Sequence, residues 1–467
     1  MQEVNVKSTR TWVLALTSVA SFMVALDALV VATALSTIRL DLGASVEELE
    51  WTVNAYTLSF AVLLMTGAAL GDRFGRRRLF VTGLLLFVAA SAACALASTM
   101  GALIAARAIQ GCGAALVMPL AVTQVSLAFP PEQRGKALGI FSGVTGLAVL
   151  AGPVVGGAIT GGLAWQWIFW LNVPIGLLVV PLVFRRIQES FGPRTALDIG
   201  GLLLITGAAL GVVWGLVRGN QAGWGSLEVV GALTAGVLLA LGFVGWERRE
   251  SLPMLPMRFF RSRAFSAGNA AGFLFFASLY GSGFFLAQLL QTALGYGPLG
   301  AGLRLLPWTA TLFVSAPLAG ALVNRFGERT LMVGGLLLQA IAMAWIGLIA
   351  RPGLAYSELV APLIIAGFGA AAIPAGQNAV VSSVAMSEIG KASGAFNMLR
   401  QLGAAFGVAI LAAVFAAVGS FGSAQAFNNG FAAAMGVSAA LSLVGAVVAL
   451  GLPSRHERAL VQARAKA

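Results

Sequence analysis

Apolar residues run along this chain in long blocks, each closed by a short stretch rich in Gly, Pro, Asp or Arg. A helix that crosses a bilayer needs roughly 20 apolar residues. Fourteen blocks qualify, near 12–35, 49–70, 79–97, 101–127, 137–158, 166–184, 198–217, 229–246, 264–291, 299–323, 329–350, 357–384, 391–418 and 428–451. The pattern predicts an all-α integral membrane protein with fourteen transmembrane helices. Within the first block Ala32-Thr33-Ala34 resembles a signal-peptidase site. The block is too long for a signal sequence and thirteen more follow, so it counts as helix 1.

Composition agrees. The 467 residues are 59% hydrophobic and only 10% charged, against about 25% charged in soluble domains. The net charge of +12 would suit a nucleic-acid binder, but its distribution does not. Counted over alternate loops, 23 Lys and Arg fall on one side and three, Arg39, Arg218 and Arg351, on the other; Arg107, Arg304 and Arg400 fall inside blocks. Such asymmetry marks the cytoplasmic side. It predicts a multi-pass protein of the inner (plasma) membrane with both termini cytoplasmic and no nucleic-acid partner. Cys94 and Cys112 lie in apolar runs and read as buried thiols. The lone histidine, His456, sits in the tail, so no metal site and no cofactor is expected. Gly135-Lys136-Ala137 and Gly390-Lys391-Ala392 lack the Ser or Thr and the upstream glycine of a phosphate-binding loop. With no nucleotide site or large soluble domain, any transport should be ion-driven.

The chain repeats itself. Asp72-Arg73-Phe74-Gly75 aligns with Asn324-Arg325-Phe326-Gly327 at an offset of 252. Gly111-Cys112-Gly113-Ala114-Ala115 aligns with Gly367-Phe368-Gly369-Ala370-Ala371 at 256, and Gly135-Lys136-Ala137-Leu138-Gly139 with Gly390-Lys391-Ala392-Ser393-Gly394 at 255. Two six-helix halves follow, 1–190 and 255–455, with two extra helices and their linkers in 191–254 and a cytoplasmic tail, 456–467. Parallel halves with a cavity between them at the midplane belong to transporters that rock about a central site.

Several stretches carry a family resemblance. Ala68-Ala69-Leu70-Gly71-Asp72-Arg73-Phe74-Gly75-Arg76-Arg77 is similar to the loop signature G-x-L-x-D-R-x-G-R-R of the major facilitator superfamily. Ala68 takes the first glycine. Leu103, Arg107, Gln110, Gly111, Gly113 and Ala115 match that family's L-x-x-x-R-x-x-Q-G-x-G-x-A. Gly152-Pro153-Val154-Val155-Gly156-Gly157 resembles the G-P-x-x-G-G that the family associates with antiporters. Leu26-Asp27-Ala28-Leu29-Val30-Val31-Ala32-Thr33-Ala34-Leu35 and Trp165-Gln166-Trp167-Ile168-Phe169-Trp170-Leu171-Asn172-Val173-Pro174-Ile175-Gly176 resemble two stretches of its fourteen-helix drug:proton antiporters. The resemblance covers essentially the whole chain. It implies two six-helix bundles, two additional central helices, and efflux of drugs across the cell membrane. It implies a conformational switch loop at Asp72, Arg73, Gly75 and Arg76, echoed by Arg325 and Gly327, with Asn324 making the second copy weaker. It also implies an antiporter motif at Gly152, Pro153, Gly156 and Gly157, where proline bends a helix and glycines admit a neighbour.

Asp27 is the one acid that falls deep within a block; every other Asp or Glu falls in a loop or at a block end. Burial favours its neutral form and a cation such as Arg107 its charged form, a balance suited to loading and releasing a proton. Asp27 and Arg107 are therefore the expected proton-coupling residues, and a cationic drug could compete for the carboxylate. A single buried acid points to cationic or neutral lipophilic small molecules. Asn54, Tyr56, Gln124, Asn269, Phe273, Phe276, Gln288, Gln377 and Asn378 are the expected substrate-cavity residues, since apolar walls with scattered amides and aromatics suit such cargo. Partners are thus a small molecule, protons and the lipid bilayer, with a monomer expected. Two alternatives stay open: a dedicated exporter of one metabolite, lipid, siderophore or amino acid, and a membrane scaffold or sensor without transport. No nucleophile–base pair or cofactor fingerprint suggests an enzyme.

Overall fold

The structure is a computed structural model that describes residues 2–192 and 197–454, with side chains described from residue 9 except Pro131, Asn324 and Ser387. The tail 456–467 with His456, the Asn324 side chain, Arg194 and the side chain of Lys7 lie outside the described residues.

Fourteen helices among the described residues are long and apolar enough to cross a membrane. They are α1 Thr9–Leu42, α2 Val46–Phe74, α3 Arg76–Ala95, α4 Met100–Ala128, α5 Glu132–Gly162, α6 Trp167–Arg186, α7 Ile199–Ala222, α8 Leu227–Glu247, α9 Arg263–Ala293, α10 Leu306–Val323, α11 Glu328–Ile349, α12 Tyr356–Val381, α13 Ile389–Val418 and α14 Ala424–Ala449. Side-chain caps start several of them. Ser45 and Glu48 form a capping box at α2, Thr99 accepts from Ala102 N at α4, and Ser262 accepts from Phe265 N at α9; each satisfies a backbone donor left orphaned by the helix.

Four blocks that read as single helices are interrupted. α6 breaks after Trp170 and resumes at Asn172. α9 ends in a π turn, Leu289–Ala293. α12 tightens to a 3₁₀ turn at Gly369–Ala371. The block 299–323 divides into a short helix, Pro298–Arg304, and α10.

The chain forms two compact units, Met1–Thr206 with Gly297–Leu303, and Gly207–Tyr296 with Arg304–Ala467. Within the first, Gly111 of α4 lies against Tyr56 O of α2, and Gly113 against Phe87 N and Gly83 O of α3. Within the second, Gly367 of α12 lies against Trp308 O of α10, and Gly369 against Gln339 and Gly335 O of α11. Tyr56 and Trp308, Phe87 and Gln339, and Gly83 and Gly335 are each 252 positions apart. The sequence repeat is thus repeated packing: small residues let backbones touch where there is no hydrophobic force between helices to hold them. Gly75 and Gly327, at φ 110 and φ 80, close the two copies of the α2–α3 and α10–α11 turns, a backbone region that side chains rarely adopt.

Candidate functional site

Asp27 and Arg107 meet in the first unit, each 1% exposed. Arg107 donates to Asp27 Oδ2 at 2.5 Å and to Gln110 Oε1 at 2.6 Å. Gln110 Nε2 and Asn172 Nδ2 donate to Asp27 Oδ1 at 2.9 and 2.8 Å, and both also reach Ser91 Oγ. The second edge of the guanidinium donates from Nε to Thr52 O at 3.2 Å, and its face covers the Tyr56 ring, 4.2 Å from the centroid. Tyr56 in turn donates to Val24 O on α1. One charge pair therefore ties α1, α2, α3, α4 and α6 together.

The physics explains the company. A buried ion pair survives only if its remaining hydrogen-bonding capacity is filled. Gln110 stands three residues after Arg107, on the same helical face, and Asn172 opens the second half of the broken α6. The equivalent place in the second unit is neutral. Ser278, 251 positions after Asp27, shares a 2.7 Å hydrogen bond with Ser438 and accepts from Gln339 Nε2 at 3.4 Å.

The expected switch loop is clamped by a segment that its own sequence does not single out. Asp72 Oδ1 pairs with Arg76 Nε at 2.7 Å. The irregular segment after α6 runs alongside: Arg76 N donates to Ser190 O and Gly192 N to Asp72 O. Glu189 caps α3, accepting from Arg77 N at 2.8 Å and Arg78 N at 3.2 Å, and its carboxylate abuts Gly75. Arg73 is exposed and its guanidinium lies 5.3 Å from the Phe74 centroid. In the second copy Arg325 lies over Phe326 in the same way, but Glu328 replaces Arg76 and accepts from Asn378 Nδ2 at 2.6 Å. Glu189→Gln is expected to lower stability by about 1 kcal/mol, the usual worth of a helix N-cap, as read by thermal unfolding in detergent.

The stretch expected to be an antiporter motif, Gly152 to Gly157, is a surface of close approach. A Cβ on Gly152 would fall 2.6 Å from Leu29 Cβ, and one on Gly156 2.3 Å from Thr33 Oγ1 and 2.7 Å from Val30 O, all on α1. On the other flank of α5, Gly157 meets Pro298 O and Leu299, and Gly302 meets Pro153 O. The same α5 stretch thus grips α1 and the short helix Pro298–Arg304. Gly156→Val should cost about 1–3 kcal/mol through overpacking, seen as a lower melting temperature with reduced folded yield.

The expected cavity residues scatter. Tyr56 supports Arg107. Gln124 Nε2 donates to Arg76 O and lines a cavity of about 750 Å³ with Arg10, Leu127 and Glu189 at the switch-loop end of the first unit. Asn54 is fully buried with no hydrogen-bond partner for either amide atom. Asn269 and Gln288 bond backward to Phe265 O and Phe284 O of their own helix. Gln377 and Asn378 are exposed. Phe273 packs edge-on to Phe406, and Phe276 lies beneath Arg400. Asp27 is not alone among buried acids: Glu50, read as a block end, lies inside α2 at 2% exposure, with Oε2 unpartnered.

A sequence model of the Major Facilitator Superfamily matches residues 17–268 and 269–467. The chain belongs to the Major Facilitator Superfamily. The facilitator chain is 36% identical over 403 residues, 85% of its length and 74% of the relative's, to the tetracenomycin C resistance and export protein of Streptomyces glaucescens. It is 34% identical over 443 residues, 93% and 91% of the two chains, to the methylenomycin A resistance protein of Streptomyces coelicolor. Fourteen spans and such relatives make it a facilitator of the fourteen-helix drug-efflux type. Its fold matches a crystal structure of a POT family transporter with a TM-score of 0.70 at 17% identity, covering 92% and 94% of the chains. A D-xylose–proton symporter matches at 0.67 and 18%, covering 95% and 98%.

Proposed function

We propose that this protein is a proton-coupled exporter that carries lipophilic drugs and toxic compounds out of the cell by alternating access. The observation that carries the reading is the buried Asp27–Arg107 pair, one carboxylate held by three donors from α4 and α6. A proton arriving at Asp27 cancels its charge. Arg107 is left with Gln110, Thr52 O and the Tyr56 face, and α1 loses its strongest tie to α4. Because α1 also seats Gly152 and Gly156 of α5, a shift of α1 is felt at the antiporter motif. Losing the proton restores the pair. Asp72, Arg76 and Glu189 set the loop that makes or breaks contacts as the protein rocks.

Relatives named for export of, or resistance to, single antibiotics favour a second reading, a dedicated exporter, while a relative named as a multidrug resistance protein favours broad cargo. Cationic or neutral cargo follows from a single buried acid balanced by Arg107; Glu50, Glu247 and Glu328 are buried as well, so the count of buried acids does not set the charge of the cargo. The protein works as a monomer in the inner membrane with its termini in the cytoplasm.

Everted vesicles from cells without their own pumps test the coupling. Acidifying the lumen should drive ethidium inward, and an uncoupler should release it. Accumulation that ignores the uncoupler would overturn proton coupling.

A further inference from the structure

Arg400 lies near the middle of α13, a 30-residue helix, about 17 Å along its axis from the first residue at 1.5 Å per residue. The helix is about 45 Å long and a hydrocarbon core about 30 Å thick, so a residue this near its middle falls within the core. No described residue hydrogen-bonds or ion-pairs with its guanidinium, and Nε is buried without a partner. Arg107, by contrast, is met on both edges by Asp27, Gln110 and Thr52 O. The flat face of Arg400 is covered, 5.5 Å above the Phe276 ring. α13 and α9 touch just beyond it: Gly403 lies against Phe273 O and Gly407 against Ala277 O. Arg400 therefore stands on the flank where α9 presents Phe273, Phe276 and Tyr280, three aromatics on one face. The residue itself is half-buried, so it is not sealed within the bundle.

A charge within the membrane that has no counter-ion in its own protein is costly and marks a functional position. Its chemistry defines the missing partner. A guanidinium fork matches a planar oxyanion through two parallel hydrogen bonds, and aromatic faces beside it accept a flat ring.

We propose that Arg400, backed by Phe276 and flanked by Phe273 and Tyr280, forms a cargo subsite for the carboxylate of a flat aromatic compound. The proposal rests on the exporter reading above and names its substrate class. The second unit then recognises the oxyanion, while the first carries the proton.

Equilibrium binding needs no gradient and so separates this proposal from proton coupling. Carboxyfluorescein and ethidium are titrated by anisotropy against the purified full chain in nanodiscs of neutral lipid. The wild type should bind carboxyfluorescein, and Arg400→Gln should lose affinity for it at least tenfold more than for ethidium. Arg400→Lys should fall between, with melting temperatures tracking fold integrity. A wild type that does not bind carboxyfluorescein, or equal losses for both dyes, would overturn the subsite. Displacement of the dye by phosphatidylglycerol in the nanodisc would assign Arg400 to a lipid headgroup instead.

Discussion

Asp27→Asn is expected to reduce pH-gradient-driven efflux of ethidium to the level of vesicles without the protein. Asparagine keeps the shape of the side chain and one acceptor oxygen, so Gln110 and Asn172 retain their bonds, while its amide nitrogen turns a donor toward Arg107, which loses its counter-charge at some cost in stability. What it cannot do is take up and release a proton. The variant should still bind cargo at equilibrium, which distinguishes an uncoupled carrier from a misfolded one. Asp27→Glu, which can still titrate, should recover part of the driven transport. Full gradient-driven efflux by Asp27→Asn in reconstituted vesicles would remove Asp27 from the coupling mechanism.

Arg107→Ala should have the largest effect on stability. Removing one partner of a buried pair leaves the other charge uncompensated, at about 3–5 kcal/mol. The loss spreads further here, because Arg107 also bonds Gln110 and Thr52 O and stacks on Tyr56. Arg107→Gln combined with Asp27→Asn replaces the charges by amides and should recover much of the melting temperature while remaining unable to transport. A double variant no more stable than Arg107→Ala would show that packing around the guanidinium, not its charge, holds these helices together.

The fourteen helices and the repeat could be read from the chain because both follow from local composition: apolar length, and small residues at a fixed offset. The interruptions could not. Leu171, Gly369 and the π turn at Leu289–Ala293 are as apolar as their surroundings, and only neighbouring helices decide where a backbone yields. Asp27 and Arg107 stood out because charge in an apolar block is rare. Gln110 and Asn172 were visible only as members of motif stretches and Ser91 not at all, since a neutral polar residue in such a block carries no sign of its partner until three distant helices converge. Glu189 lies 112 positions from the amide it caps, so nothing near the switch loop announces it. Glu50 does fall near the start of α2, but its burial was hidden by its neighbours: Glu47 and Glu48 make the whole stretch look like a helix start in water, although Glu50 is only 2% exposed.

The hydroxyl cluster of Ser278 and Ser438 beneath Gln339 has an arithmetic consequence. In the proposed antiport this pair of equivalent positions loads one hydrogen ion, since the first bundle places the carboxyl of Asp27 there and the second only the hydroxyl of Ser278. An exchanger geared one-to-one cannot raise uncharged cargo outside the cell by more than about tenfold for every 59 mV of proton-motive force. Installing a second carboxyl at position 278 would be the shortest route to a steeper gear ratio.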